Sequence, residues 1–195
     1  MKLLNRLSLM ALVISMLIAG EGIAQTEINP KAGFETWSLA DEVGQGGSSH
    51  SGQTIGFDVF IIKNRFLFVP GFFYHRISIL NQEDGLIFEI PKRNGAHYFS
   101  IPLQAGMQVL DLAVLDASIM AGGEMSFFYS LDSNDVSLDD DKLHGVFGAI
   151  TGGVQVQLFS FLTADLKYHH ALHPIIKARP ESKLRGWTIA LGVRL

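Results

Sequence analysis

Three histidines close together, His169, His170 and His173, are the first residues of this chain that invite a chemical reading, because imidazoles serve as metal ligands and proton carriers. Their neighbourhood alternates apolar and polar residues from Leu162 to His169. In a strand, successive side chains face opposite ways, so His169 and His170 point apart and make a poor joint metal site. A lipid hydrolase would need a serine beside the outward His170. The outward positions of the flanking strands are Ile150, Val154, Val156, Trp187 and Ile189, none of them a nucleophile. Cysteine is absent, which removes thiolate metal sites and thiol nucleophiles.

Carboxylates offer a second candidate chemistry. Glu35, Asp58, Glu124 and Asp165 share a face type with Lys31, Lys167, His169 and Arg194, together with amides such as Gln104 and Gln155. Paired carboxylates can work as acid and base. The balance of signs and the lack of an evident cleft favour a self-paired polar core instead, and neither a catalytic residue, a cofactor nor a metal is expected. The acidic stretch Asp132 to Asp135 with Asp139 to Asp141 lacks the glycine and terminal glutamate of an EF-hand loop. Lys177, Arg179, Lys183 and Arg185 suit either the phosphates of lipopolysaccharide or that acidic loop.

The elements that position these residues are strands. Residues 98–109 hold Phe99, Ile101, Leu103, Ala105, Met107 and Val109 on one parity and Ser100, Gln104 and Gln108 on the other. Residues 116–130, 148–158, 162–169 and 185–195 repeat the rule, and 53–62 follows it with Phe60 and Ile62 blurring one face. Residues 31–38 and 66–78 complete eight strands, although 66–78 is apolar on both parities and its facing is open. Long polar connections (39–52, 80–96, 131–146, 173–184) alternate with short ones (63–65, 110–115, 159–161), as in a barrel with long outer loops and short periplasmic turns.

A soluble lipocalin-type barrel would show the same alternation with its apolar face inside. Here the less apolar faces are Ser, Thr, Gly and Gln rather than the Lys and Glu of a wetted sheet, and charges gather in the connections. The apolar faces therefore meet lipid. The expected fold is all-β, an eight-stranded antiparallel up-and-down transmembrane β-barrel, with Phe57, Phe99, Phe127, Tyr129, Tyr168 and Trp187 as an aromatic girdle near the outer strand ends. Eight strands enclose an interior that side chains fill.

At the N-terminus, Lys2 and Arg6 precede an apolar run to Gly20 and a small-x-small ending at Gly22-Ile23-Ala24. Its apolar core is shorter than the ~20 residues of a membrane helix. The expected division is a signal peptide over 1–24 and a barrel domain over 25–195, located in the outer membrane of a Gram-negative cell. Removing Lys2, Arg6 and Glu21 takes the formal count from 15 basic and 19 acidic residues to 13 and 18, or −5, which argues against nucleic acid as a partner.

Gly33-Phe34, Tyr98-Phe99-Ser100-Ile101-Pro102-Leu103, Ala121-Gly122-Gly123, Ala164-Asp165-Leu166-Lys167-Tyr168 with Ala171-Leu172, and Gly192-Val193-Arg194-Leu195 together resemble the PorT-like outer-membrane β-barrel family, relatives in architecture of small OmpA-type barrels. The resemblance spans nearly all of residues 25–195. It implies a non-enzymatic membrane barrel with a structural or interaction role and, for the family's best-known member, a part in protein secretion. The alternatives are a narrow porin-like channel and a lipid-modifying enzyme. Expected partners are outer-membrane lipid and lipopolysaccharide, then other envelope or secretion proteins.

Overall fold

The structure, a computed structural model, describes residues 25–39, 49–78, 95–132, 145–173 and 184–195. The expected signal peptide, residues 133–141 of the acidic loop, Lys177, Arg179 and Lys183 lie outside them. Eight strands follow one another: β1 (Gln25–Leu39), β2 (Ser49–Lys63), β3 (Phe66–Ser78), β4 (Gly95–Leu112), β5 (Leu115–Leu131), β6 (Val146–Leu158), β7 (Leu162–Ala171) and β8 (Leu184–Val193). Each pairs antiparallel with the next, and β1 pairs with β8, closing the sheet into a barrel. Closure leaves no unpaired edge, the condition for a β-structure in hydrocarbon.

Turn chemistry sets the short-turn end. Asn64 adopts a left-handed backbone (φ 58°), which asparagine tolerates. Phe159 and Ser160 take φ values of 52° and 66°, and Phe161 N–H donates to Leu158 C=O at 3.2 Å, so a tight turn centred on Phe159 and Ser160 forms the three-residue connection 159–161 between β6 and β7. The connection expected over 110–115 shrinks to residues 113–114. A bulge between Gln108 and Leu110 lets β4 continue its ladder through Asp111.

Alternation places the side chains as read from the sequence. Ile101, Leu103 and Val109 are exposed outward, as are Ile119, Ile150, Leu166 and Ile189, while Ser100, Gln104, Glu124, Thr151 and Lys167 are buried inward. β3 has Leu67, Val69, Phe73, His75 and Ile77 inside and Phe66, Phe68 and Phe72 outside.

The interior is not uniformly polar: two apolar layers accompany the polar residues singled out from the sequence. Phe60, Leu67, Val69 and Met120 form an apolar layer near the short turns. Trp37, Ile77, Tyr98, Phe147, Ala171 and Leu184 form another at the long-loop end. The polar residues lie between. Apolar groups fill a narrow lumen without needing partners, whereas each buried polar atom needs one. Gly186 makes room for the upper layer, since an added Cβ would stand 2.7 Å from Cε3 of Trp37.

Candidate functional site

The luminal polar layer is built around Lys31, which β1 aims inward. Its Nζ stands 2.6 Å from Asp58 Oδ2 on β2 and 2.6 Å from Asp165 Oδ2 on β7. One ammonium thereby serves two carboxylates from nearly opposite ends of the sequence. Gln155 Nε2 donates to the second Asp165 oxygen at 3.0 Å, and Gln104 Nε2 donates to Thr151 Oγ1 at 2.9 Å. Lys167 Nζ lies 3.5 Å from Asp58 Oδ2, beyond ordinary hydrogen-bond length, and 5.7 Å from the centre of the Phe73 ring.

Above this group sit two hydroxyl–imidazole–carboxylate rows. His75 Nδ1 faces Glu35 Oε1 at 2.8 Å and His75 Nε2 faces Ser100 Oγ at 2.8 Å. The carboxylate at Nδ1 places a ring proton there, and the direction of the Nε2–Ser100 bond depends on whether the ring carries a second one. Trp37 Nε1 donates to the other Glu35 oxygen at 2.9 Å, and Tyr98 stacks flat on His75 with ring centroids 4.4 Å apart. In the second row, His169 Nε2 meets Thr188 Oγ1 at 3.1 Å and His169 Nδ1 lies 3.5 Å from Glu124 Oε2.

The first row has the connectivity of a serine hydrolase triad. Two further requirements go unmet. The interior cavity, lined by His75, Glu124 and His169 but by neither Ser100 nor Glu35, measures about 20 Å³, room for about one water and no substrate. Backbone N–H groups of a barrel wall are spent on the inter-strand ladder, leaving none to stabilise an oxyanion in the lumen. The geometry therefore ties buried polar groups of different strands to one another and holds the strands in place, while Asp58 Oδ1, Gln104 Oε1, His169 Nδ1 and Tyr98 OH find no hydrogen-bond partner among the described residues.

Of the residues singled out from the sequence, Glu35, Asp58, Gln104, Glu124, Gln155, Asp165, Lys167 and His169 are all buried in this layer. Arg194 is not part of it. Its guanidinium lies 4.2 Å from the Phe60 ring centroid and its Nε 2.5 Å from Glu27 Oε2, below the lower apolar layer, where it also bonds Gln157. His75 and Ser100 are not legible as a pair in the sequence, because β3 is apolar on both parities and a lone serine on β4 carries no signal until β3 is paired with it. Lys31 is legible as a luminal cation, but its position between two carboxylates follows only from barrel closure.

Outside, the band between the turns and the level of Arg76 and Arg185 carries no charged side chain among the described residues. Phe72 stacks on Phe99 at 5.5 Å, Phe99 meets Tyr129 at 5.6 Å, and Tyr168 meets Trp187 at 5.0 Å. Phe57 departs from the girdle expected at the outer ends: it pairs with Pro30 and Phe72 near mid-strand. Phe66, Phe68, Phe159 and Phe161 supply a second aromatic belt at the short turns. At the upper rim, Asp132 accepts from Arg76 Nη2 at 3.0 Å and faces His97 Nε2 at 3.0 Å, while His97 also bonds Tyr74. Partial burial opposes ionisation of Asp132, but the bonds from His97 and Arg76 outweigh it and hold the carboxyl below its usual range.

No family model matches the chain, and no curated protein matches it. Among solved structures, neisserial surface protein A is 15% identical over 88% of this chain and 97% of its own, with a TM-score of 0.55. The outer membrane protein OprG from Pseudomonas aeruginosa is 13% identical over 89% and 98%, with a TM-score of 0.48. The attachment invasion locus protein of Yersinia pestis is 12% identical over 88% and 99%, also at 0.48. The first likeness bears on fold alone: this chain is a closed eight-stranded antiparallel β-barrel.

Proposed function

We propose that this chain is a non-enzymatic integral outer-membrane β-barrel protein, reached by export on a signal peptide spanning 1–24, whose lumen is a structural core and whose work lies on its outer surface. The observation that carries the reading is the filled interior. A polar layer with self-paired charges sits between two apolar layers, and about 20 Å³ remains open within it. An apolar outer band, uncharged among the described residues and with an aromatic belt towards each end, supports placement in a bilayer, because a Lys or Arg on the lipid face costs about 2–4 kcal/mol at the midplane. So small an internal space weighs against the narrow channel. Kinship with PorT-like barrels, an accessory part in secretion and contacts with other envelope proteins are finer readings that rest on the motif resemblance.

Refolded residues 25–195 in a planar bilayer are expected to give no stable conductance steps, and the mature protein is expected to fractionate with outer membranes and to migrate differently on gels before and after boiling. Stable ion-selective steps would replace the structural reading with the channel. A soluble periplasmic protein would remove the membrane reading altogether.

The buried triad-like row yields a second expected result. A serine-directed fluorophosphonate should leave the folded barrel unlabelled, because Ser100 is fully buried. Labelling that disappears in Ser100→Ala would instead establish a reactive nucleophile and overturn the non-enzymatic assignment.

A further inference from the structure

The outer wall is not a smooth cylinder. Where β1 lies between β8 and β2, an external depression of about 450 Å³ opens, within the size range of small-molecule sites. Register explains it. Ala32 pairs with Ile55 on one side and Leu191 on the other, so a methyl group stands between two long, largely exposed aliphatic side chains. One outward step towards the long-loop end, Phe34 pairs with Gln53 and Ile189, and Gln53 pairs with Arg76. The depression thus runs from an apolar floor to a cation at the rim.

Arg76 sits at the level where the apolar band ends and the headgroup region of the long-loop leaflet begins. Its Nη2 donates to Asp132. A guanidinium has five N–H donors in a planar fork suited to phosphate, so one such bond leaves capacity for a second anion. Asp132 is itself shared with His97, so the rim is not closed to an anion by one carboxylate.

We infer that this depression is a binding site for one phosphate-bearing lipid of the outer leaflet, of the lipid A class, with an acyl chain over Ala32 between Ile55 and Leu191 and a phosphate on Arg76. The inference rests on the outer-membrane placement proposed above and adds a specific lipid, a stated face of the barrel and a headgroup contact. Charge favours this occupant: a chain alone would fill the apolar floor, whereas an anionic headgroup would also reach the guanidinium donors that the bond to Asp132 leaves over.

The test takes the full chain, folded in its native membrane and extracted in a mild non-ionic detergent, into native mass spectrometry with added bisphosphorylated lipid A or its phosphate-free counterpart. One bisphosphorylated lipid A per barrel is expected, retained at least tenfold better than the phosphate-free form. Ala32→Trp fills the floor and should abolish retention, and Arg76→Gln should reduce it about tenfold by the loss of a charged phosphate contact. Ala121→Trp, outward on β5 away from the depression, should change nothing. Ala32→Leu is a milder second filling should the tryptophan disturb folding. Equal retention of both lipids, equal loss in Ala121→Trp, or no retention at all would overturn the site. Heat-modifiable migration and outer-membrane fractionation of the same samples separate that result from a failure of the membrane placement itself.

Discussion

Lys31→Met is expected to destabilise the barrel by about 3–5 kcal/mol, the scale for removing one partner from a buried ion pair. The ammonium is 1% exposed and stands 2.6 Å from each of two carboxylates that are equally sealed from water. Methionine keeps most of the volume, so the loss is electrostatic. The two aspartates do not suffer equally. Asp58 retains Lys167 at 3.5 Å, whereas Asp165 keeps the neutral amide of Gln155 and, among the described residues, no second cation within ion-pair distance. Asp165→Asn should therefore recover more of the stability of the Lys31→Met barrel than Asp58→Asn does. Urea unfolding from lipid vesicles measures all three. Recovery by Asp58→Asn alone would show that Asp58, not Asp165, depends on Lys31.

Leu166→Arg should cost about 2–4 kcal/mol by the opposite route, since it places a cation against lipid near mid-membrane. Leu166 is exposed on β7 between Val154 on β6 and Ile189 on β8, both also outward. No luminal substitution should rescue it, because no luminal group touches it. Its neighbour Lys167 points the other way, and Lys167→Leu should cost less than Lys31→Met because Asp58 keeps its closer ammonium. The same urea series, together with the yield of boil-sensitive barrel, distinguishes these outcomes. A harmless Leu166→Arg would place the outer face of β7 in water.

Period-two alternation makes most of this fold readable in advance, since a one-residue slip would turn each strand inside out. Leu162 to His169 has one allowed facing once lipid lies outside, and the structure has it. The same logic fails on β3, where Phe66, Phe68 and Phe72 outside match Leu67, Val69 and Phe73 inside in hydrophobicity. That ambiguity conceals the lower apolar layer and the partner of Ser100. Phe60 and Met120 read as blemishes on polar faces and are members of that layer. Arg194 shares the inward face with Asp165 and Lys167, yet alternation fixes a face and not a height, so its place below Phe60 is invisible in the sequence. Height along the barrel comes from register, which depends on turns and bulges such as that at Gln108.

The contacts of Lys31 also bear on how the chain reaches this state. Lys31 and Asp165 are 134 residues apart, as are Asn29 and Thr163, which bond at 3.1 Å. Both links cross the seam where the first strand meets the last, and Ile28 and Leu195 exchange backbone bonds beside them. None can form in a partly made sheet. Until β7 and β8 arrive, Lys31 and Asp165 keep their hydration, and expelling that water coincides with closing the seam. Contacts so distant in sequence belong to slow folders. Acquisition of the boil-sensitive form is thus a clock for dehydration of the centre, which is complete only once the two ends of the chain have paired.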